Sequence, residues 1–238
     1  MRRATARDAR RRVMRWLRAL TLRTIALFGL AIVASVAFVV IAALVRTGAV
    51  DRLDTAIELA VHRFDSAPLD VVMETATLIG SNAVLLPAVA LVTLLAIHRH
   101  RRNVAIVLVI DTIIVIIAYS ALKVMFSRER PRLFDKIALP TDYSFPSGHS
   151  MSAIAIWGVI AAALIALYPG ARRLVVVAAV ALIAAIGLSR IYLGVHWPFD
   201  VLGGFVGGVP PLVVSVHLIH RRPARDRNVA DLVEAGHG

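Results

Sequence analysis

The chain contains no cysteine. Disulfide frameworks and thiolate metal sites are therefore excluded. Acidic residues are scarce as well: 15 Asp and Glu stand against 27 Lys and Arg in 238 residues, a formal net charge of +12. No carboxylate cluster suited to Mg²⁺ is visible, so no metal and no other cofactor is expected. No internal repeat and no low-complexity linker breaks the chain. Inverted halves of the kind many transporters show are absent too.

What is present is apolar length. Hydrophobic residues make up 59% of the chain, and the mean hydropathy is +0.78. Soluble domains sit nearer half apolar. Six runs are each close to the ~20 residues a helix needs to cross a bilayer. They cover roughly 24–45, 81–97, 104–126, 150–168, 173–189 and 200–219. The pattern predicts an all-α polytopic membrane protein with six transmembrane helices. The first run, Thr24 to Val45, is longer than a signal-peptide core. No clear small-x-small site follows it, so a retained span is expected.

Three divisions follow: a basic N-terminal cytoplasmic segment (1–23), a six-span membrane domain (24–220) and a C-terminal cytoplasmic tail (221–238), expected to be short and disordered. Residues 50–79 carry Asp51, Asp54, Glu58, Asp65, Asp70 and Glu74. One or two amphipathic helices on the membrane surface fit them better than a span. Pro87 is expected to kink the second run.

Charge sets the orientation. With the N-terminus inside, eighteen of the 27 basic residues fall on the inner side and nine on the outer. That asymmetry predicts N-in and C-in. It also accounts for a basic composition without nucleic acid, which is not expected as a partner. The stripe Val13, Trp16, Leu17 and Leu20 among arginines predicts an interfacial N-terminal helix on anionic lipid.

Three polar stretches then fall together on the outer face: Lys123 to Pro131 (KVMFSRERP), Pro146 to His149 (PSGH) and Ser189 to Asp200 (SRIYLGVHWPFD). Thirty-nine residues separate His149 from Ser189. Two spans of ~20 residues go down and come back, so the two residues return to one membrane level.

The residue types suit a phosphate. Lys123 supplies a point charge, and Arg130 and Arg190 supply planar forks for phosphate oxygens. Pro146-Ser147-Gly148 opens a span, and a helix N-terminus cradles anions. Ser147 is placed to cap that helix or to bond a phosphate oxygen. Gly148 lets the backbone come close to a ligand. Asp200 lies four residues after His196 and can orient its imidazole, which makes His196 a candidate nucleophile. His149 can protonate the leaving oxygen and later activate water.

On these residues the chain resembles the type 2 phosphatidic acid phosphatase (PAP2) superfamily. Its signature reads K-x6-RP, PSGH and SR-x5-H-x3-D. All eleven fixed positions match: Lys123, Arg130, Pro131, Pro146, Ser147, Gly148, His149, Ser189, Arg190, His196 and Asp200. The resemblance covers about residues 50 to 220 and implies a PAP2-type six-helix bundle. It implies a phosphohistidine on His196, with Asp200 in support and His149 as acid and base. Lys123, Arg130, Ser147, Gly148, Ser189 and Arg190 would bind phosphate, and no divalent metal would be used.

The expected function is thus an integral membrane lipid phosphatase at the plasma or inner membrane, with its site on the extracytoplasmic face. The partners expected are the bilayer and a lipid substrate in it. An undecaprenyl-type diphosphate is the leading substrate. Phosphatidic acid or phosphatidylglycerophosphate follows, then lipid A or another glycolipid. Phosphotransfer to a lipid or sugar hydroxyl is the second enzymatic reading, and an anion transporter is the reading from outside enzymology.

Other polar residues receive plainer readings. Arg128, Arg132 and Lys136 match no fixed position and divide between headgroup contact and solvated loop. Asp111 sits ~18 Å of helix from Lys123, too far to share its phosphate. A structural partner is expected for it first, and a proton or substrate path second. His98 and His100 on one inner loop are not expected to bind metal, and His217 and His220 read as interface.

Overall fold

The computed structural model describes residues 6–134 and 140–220. The expected tail at 221–238, Lys136 and the first five residues lie outside the described residues. The helices run α1 (Ala6–Arg46), α2 (Asp51–His62), α3 (Ala67–Gly80), α4 (Asn82–His98) and α5 (Arg102–Phe126). After a loop come α6 (Gly148–Ser152), a π-helical turn (Ala153–Trp157), α7 (Gly158–Leu167), α8 (Arg172–Tyr192) and α9 (Pro198–His220). No strand occurs among the described residues.

Among the described residues, five stretches are long and apolar enough to span a bilayer: Thr24–Arg46, Arg102–Phe126, Gly148–Leu167, Pro169–Tyr192 and Pro198–His220. The sixth is a bent pair, Ala67–Gly80 with Asn82–His98, meeting at 51°. Ser81 makes the break, with extended backbone (φ −76°, ψ 156°). The helix runs on through Pro87, and the break lies six residues before it. Residues 50–79 form two short helices, but α3 joins this broken span. In α1 the basic segment from Ala6 continues into the first span as one helix.

Glycine brings the helices close around α9. A Cβ on Gly204 would lie 2.6 Å from the Ser147 carbonyl oxygen, and one on Gly208 would lie 2.8 Å from that of Met151. Small residues permit such approach between membrane helices. One apolar core joins α4, α5, the π turn, α7 and α9 through Leu85, Leu108, Val115, Ile156, Val159 and Ile219. A second ties α1 to the loop before α6, where the buried Phe145 stacks on Phe38 and meets Phe126 edge-on. On the periphery Val33, Val39, Leu91, Ile117 and Val177 are exposed, as a lipid-facing surface requires. Asp111 is buried, and one of its oxygens accepts a 2.6 Å bond from Ser215 of α9. That is the structural partner expected first.

Candidate active site

The three signature stretches meet at one end of the bundle. Each arrives by an identifiable local cause. Ser127 ends α5 in left-handed backbone (φ 47°) and turns the chain towards Arg130. Ser147 caps α6, its oxygen accepting from the Ser150 N–H. Gly194 has φ +66° and turns α8 back so that His196 faces the bundle. Pro198 starts α9 and sets Asp200 in its first turn. The Ser147 N–H then donates to the Asp200 carbonyl at 3.0 Å, which ties the second stretch to the third.

A cavity of about 170 Å³ lies between them. Lys123, Arg130, Gly148, His149, Arg190 and His196 line it, together with Gly80, Asn82, Tyr119 and Asp142. Ser147, Ser189 and Asp200 do not. The Ser147 oxygen is engaged with Ser150, and the Ser189 hydroxyl donates to the Ile186 carbonyl at 2.7 Å. Asp200 stands behind His196.

His196 is 1% exposed. Its Nε2 lies 3.1 Å from Nη1 of Arg130. A guanidinium only donates, so Nε2 accepts and Nδ1 carries the proton. Burial first, then the charges of Arg130, Arg190, Lys123 and His149, holds its ionisation well below the usual histidine range. The imidazole is neutral, with its lone pair directed to the cavity side. On the other side Nδ1 is 3.5 Å from Oδ2 of Asp200 and 3.3 Å from Oγ of Ser144. The carboxylate is therefore just beyond direct hydrogen-bond distance. The Ser144 hydroxyl, which donates to Asp200, lies beside the pair and contacts both.

Among the described residues, three cations surround the space before Nε2. Arg190 is almost fully buried, donates from Nη1 to the Thr77 hydroxyl, and has no partner for Nε among the described residues. The Thr77 backbone carbonyl also accepts from the His149 ring. Lys123 and Arg130 share one anion, the Asp142 carboxylate. Lys123 donates to Oδ2 and Arg130 to Oδ1, each at 2.6 Å. Burial works against the charge of Asp142, but Lys123 and Arg130 outweigh it and hold the acid below the usual carboxylate range. This carboxylate bridges two of the cations expected to grip a phosphate, one oxygen to each.

Arg128 departs from its expectation. It is neither a headgroup contact nor solvated. Nη1 donates to Asp200 at 2.7 Å, and Nη2 donates to Asp54 at 2.7 Å and Asp51 at 3.1 Å. Asp54 and Glu58, read from sequence as part of an amphipathic surface helix, are buried. Ion pairing to Arg128 and a bond from the Phe199 N–H make that burial tolerable for Asp54. Spacing carried a signal: Asp51, Asp54 and Glu58 share one helical face. Ser144 and Asp142 lie two and four residues before Pro146, in a polar run that fixes no helix. Among the described residues, no three His, Asp or Glu side chains converge as a metal site.

Residues 103–224 match the PAP2 superfamily. The chain is 33% identical to phosphatidylglycerophosphatase B of Bacillus subtilis over 182 residues, covering 72% of this chain and 86% of that protein. It is 29% identical to the undecaprenyl-diphosphatase of Sulfolobus acidocaldarius, covering 61% and 68%. The crystal structure of a transmembrane PAP2-type phosphatidylglycerolphosphate phosphatase from Bacillus subtilis superposes with a TM-score of 0.73 at 30% identity. That match covers 79% of this chain and 94% of the other.

Proposed function

The chain belongs to the PAP2 superfamily, and on that premise we propose that this membrane phosphatase cleaves a lipid phosphate or diphosphate through a phosphohistidine on His196. The observation that carries the reading is the neutral His196 imidazole at the wall of a cavity ringed by Lys123, Arg130, Arg190 and His149. The cations neutralise the phosphate and leave its phosphorus open to Nε2.

In the first step Nε2 attacks phosphorus and the bond from phosphorus to the leaving oxygen breaks. His149 gives that oxygen its proton. In the second step His149 takes a proton from water, the water oxygen attacks phosphorus, and the bond from phosphorus to Nε2 breaks. Inorganic phosphate leaves and both imidazoles return to their starting states. Asp200 and Ser144 hold the Nδ1–H side and stabilise the imidazolium character that builds up. The Asp142 carboxylate must yield Lys123 and Arg130 to the phosphate. Cationic side chains supply the charge neutralisation, and no divalent ion enters these steps.

Phosphatidylglycerophosphate stands first among substrates, because the phosphatidylglycerophosphatase B relative matches at higher identity and over more of its length than the undecaprenyl-diphosphatase. Undecaprenyl diphosphate, the leading expectation from sequence, is the second reading on the strength of that other relative. The site lies on the extracytoplasmic face with both termini inside, as the basic asymmetry argues.

Phosphate release by the purified protein in excess chelator tests the activity across phosphatidylglycerophosphate, undecaprenyl diphosphate, phosphatidic acid and lipid A. Turnover of at least one lipid, lost in His196→Ala, is expected. Equal rates in wild type and His196→Ala contradict the reading. Because the chain lacks cysteine, Arg132→Cys introduces a single thiol on an exposed loop residue. A membrane-impermeant thiol reagent should label it in intact cells; labelling only after lysis reverses the orientation.

A further inference from the structure

Arg128 and Asp54 belong to no fixed position of the signature, and neither lines the cavity. Arg128 falls among the six variable residues of K-x6-RP, and Asp54 lies on α2. Yet both are tied to the residue that stands behind His196.

The two oxygens of Asp200 have separate tasks. Oδ2 accepts from Ser144 and from the Trp197 N–H at 2.9 Å, and it faces Nδ1 of His196 at 3.5 Å. Oδ1 accepts from Nη1 of Arg128 at 2.7 Å. The second arm of the same planar guanidinium holds Asp54 at 2.7 Å. Asp54 in turn accepts from the Phe199 N–H at 2.8 Å, in the helical turn that carries Asp200. The links close a ring: Asp54, Arg128, Asp200 and the α9 backbone. Turning the Asp200 carboxylate breaks the ring. Trp197 backs it, its ring centroid 5.7 Å from the Arg128 guanidinium carbon.

We infer that Arg128 and Asp54 are positioning residues that hold the Asp200 carboxylate in the one orientation that serves His196. The inference rests on the phosphohistidine reading. Asp54 and Asp200 are fully buried, and a buried ion-pair group is a weak source of stability. What it supplies here is geometry, because a guanidinium fork fixes both distance and plane. The local charge is consistent with this role. Burial first, then Asp54 and Asp200, pushes Glu58 up to about 8, so it stays protonated at neutral pH and adds no third buried anion. Asp51 lies at the exposed edge and adds little.

The test is rapid-quench phosphoenzyme formation, using the radiolabelled lipid that wild type turns over fastest. The variants are Arg128→Gln, Arg128→Lys, Asp54→Asn, Asp200→Asn and the double variant Arg128→Gln with Asp200→Asn. Loss of an outer orienting partner lowers function by about 10- to 100-fold where the oriented histidine binds a metal, and the same scale is taken for an oriented nucleophile. A fall of that order in the burst rate is expected for Arg128→Gln, with inhibition by inorganic phosphate unchanged. Arg128→Lys should recover part of the rate, because an ammonium reaches one carboxylate but not both in a fixed plane.

Arg128 acts through Asp200, so the double variant should be no slower than Asp200→Asn alone. If the two losses multiply, or if Arg128→Gln weakens phosphate inhibition as much as it slows the burst, the positioning role is wrong. Should Arg128→Gln fail to purify as a folded species, Asp54→Asn carries the same readout with the shape of the side chain kept. A histidine phosphoenzyme in wild type with unchanged bursts in the variants overturns this inference alone. No histidine phosphoenzyme in wild type overturns the mechanism beneath it.

Discussion

Gly204→Ala measures how tightly the phosphate cradle is set against α9. Gly204 lies one turn beyond Asp200. An added Cβ would sit 2.6 Å from the Ser147 carbonyl oxygen, 2.9 Å from Cβ of Ser150 and 3.1 Å from the Met151 nitrogen. Two of these three are backbone atoms and cannot rotate away. Ordinary contact begins near 3.4 Å, so the start of α6 must retreat by about 0.8 Å. Gly148 and His149 travel with it and leave Asp200 and His196 behind.

The stability cost is modest. Overpacking takes ~1–3 kcal/mol, and alanine in a helix returns ~1 kcal/mol over glycine. The net is ~0–2 kcal/mol, a few degrees in apparent melting temperature at ~2–4 °C per kcal/mol. Catalysis is far more sensitive, since a misplacement of ~1 Å costs ~100-fold. The expected result is a folded protein with kcat down ~100-fold. Gly29→Ala, with nothing within 4 Å of the new methyl, is the control and should keep full activity. A folded Gly204→Ala protein within about twofold of wild type would refute the claim that the α6 cradle and α9 act as one rigid unit.

Two further perturbations read the charges. Asp142 competes with phosphate for Lys123 and Arg130. Asp142→Asn should lower the inhibition constant for inorganic phosphate by about fivefold, the ~1 kcal/mol of a half-exposed ion pair; an unchanged or higher constant contradicts that competition. Glu58 titrates near 8 when folded against a usual value of 4.5. Below 4.5 both states hold the proton. Between 4.5 and 8 only the unfolded chain releases it, so stability declines as pH rises, by up to ~1.4 kcal/mol per unit. Above 8 the loss is complete. Glu58→Gln should flatten that decline in thermal melts from pH 5 to 8, and a decline as steep as wild type removes Glu58 from the account.

Much of the site was legible because signature residues sit at fixed offsets from span ends. Thirty-nine residues lie between His149 and Ser189, and two helical crossings return the chain to one level. Hydropathy found the uninterrupted spans for the same reason. It did not find the bend at Ser81, because a short polar residue between two helices resembles any cap. The support behind His196 was illegible for a different reason. Asp54, Arg128 and Ser144 come from three segments with no shared spacing, and only the tertiary fold makes them neighbours. Acids on a short helix suggest solvent until a buried guanidinium is found opposite them. The 3.5 Å separation of Asp200 and His196, flanked by the Ser144 hydroxyl, is likewise a product of loop packing rather than of the four-residue interval.

The central claim is that the phosphoryl group passes through His196. Turnover of a radiolabelled lipid phosphate in excess chelator, quenched in alkaline detergent so that a phosphohistidine survives, tests it most directly. The account predicts an acid-labile, base-stable label on the wild-type protein, mapped to the peptide containing His196 and missing from His196→Ala. Turnover by wild type with no trapped label, or an equal label on His196→Ala, would contradict it.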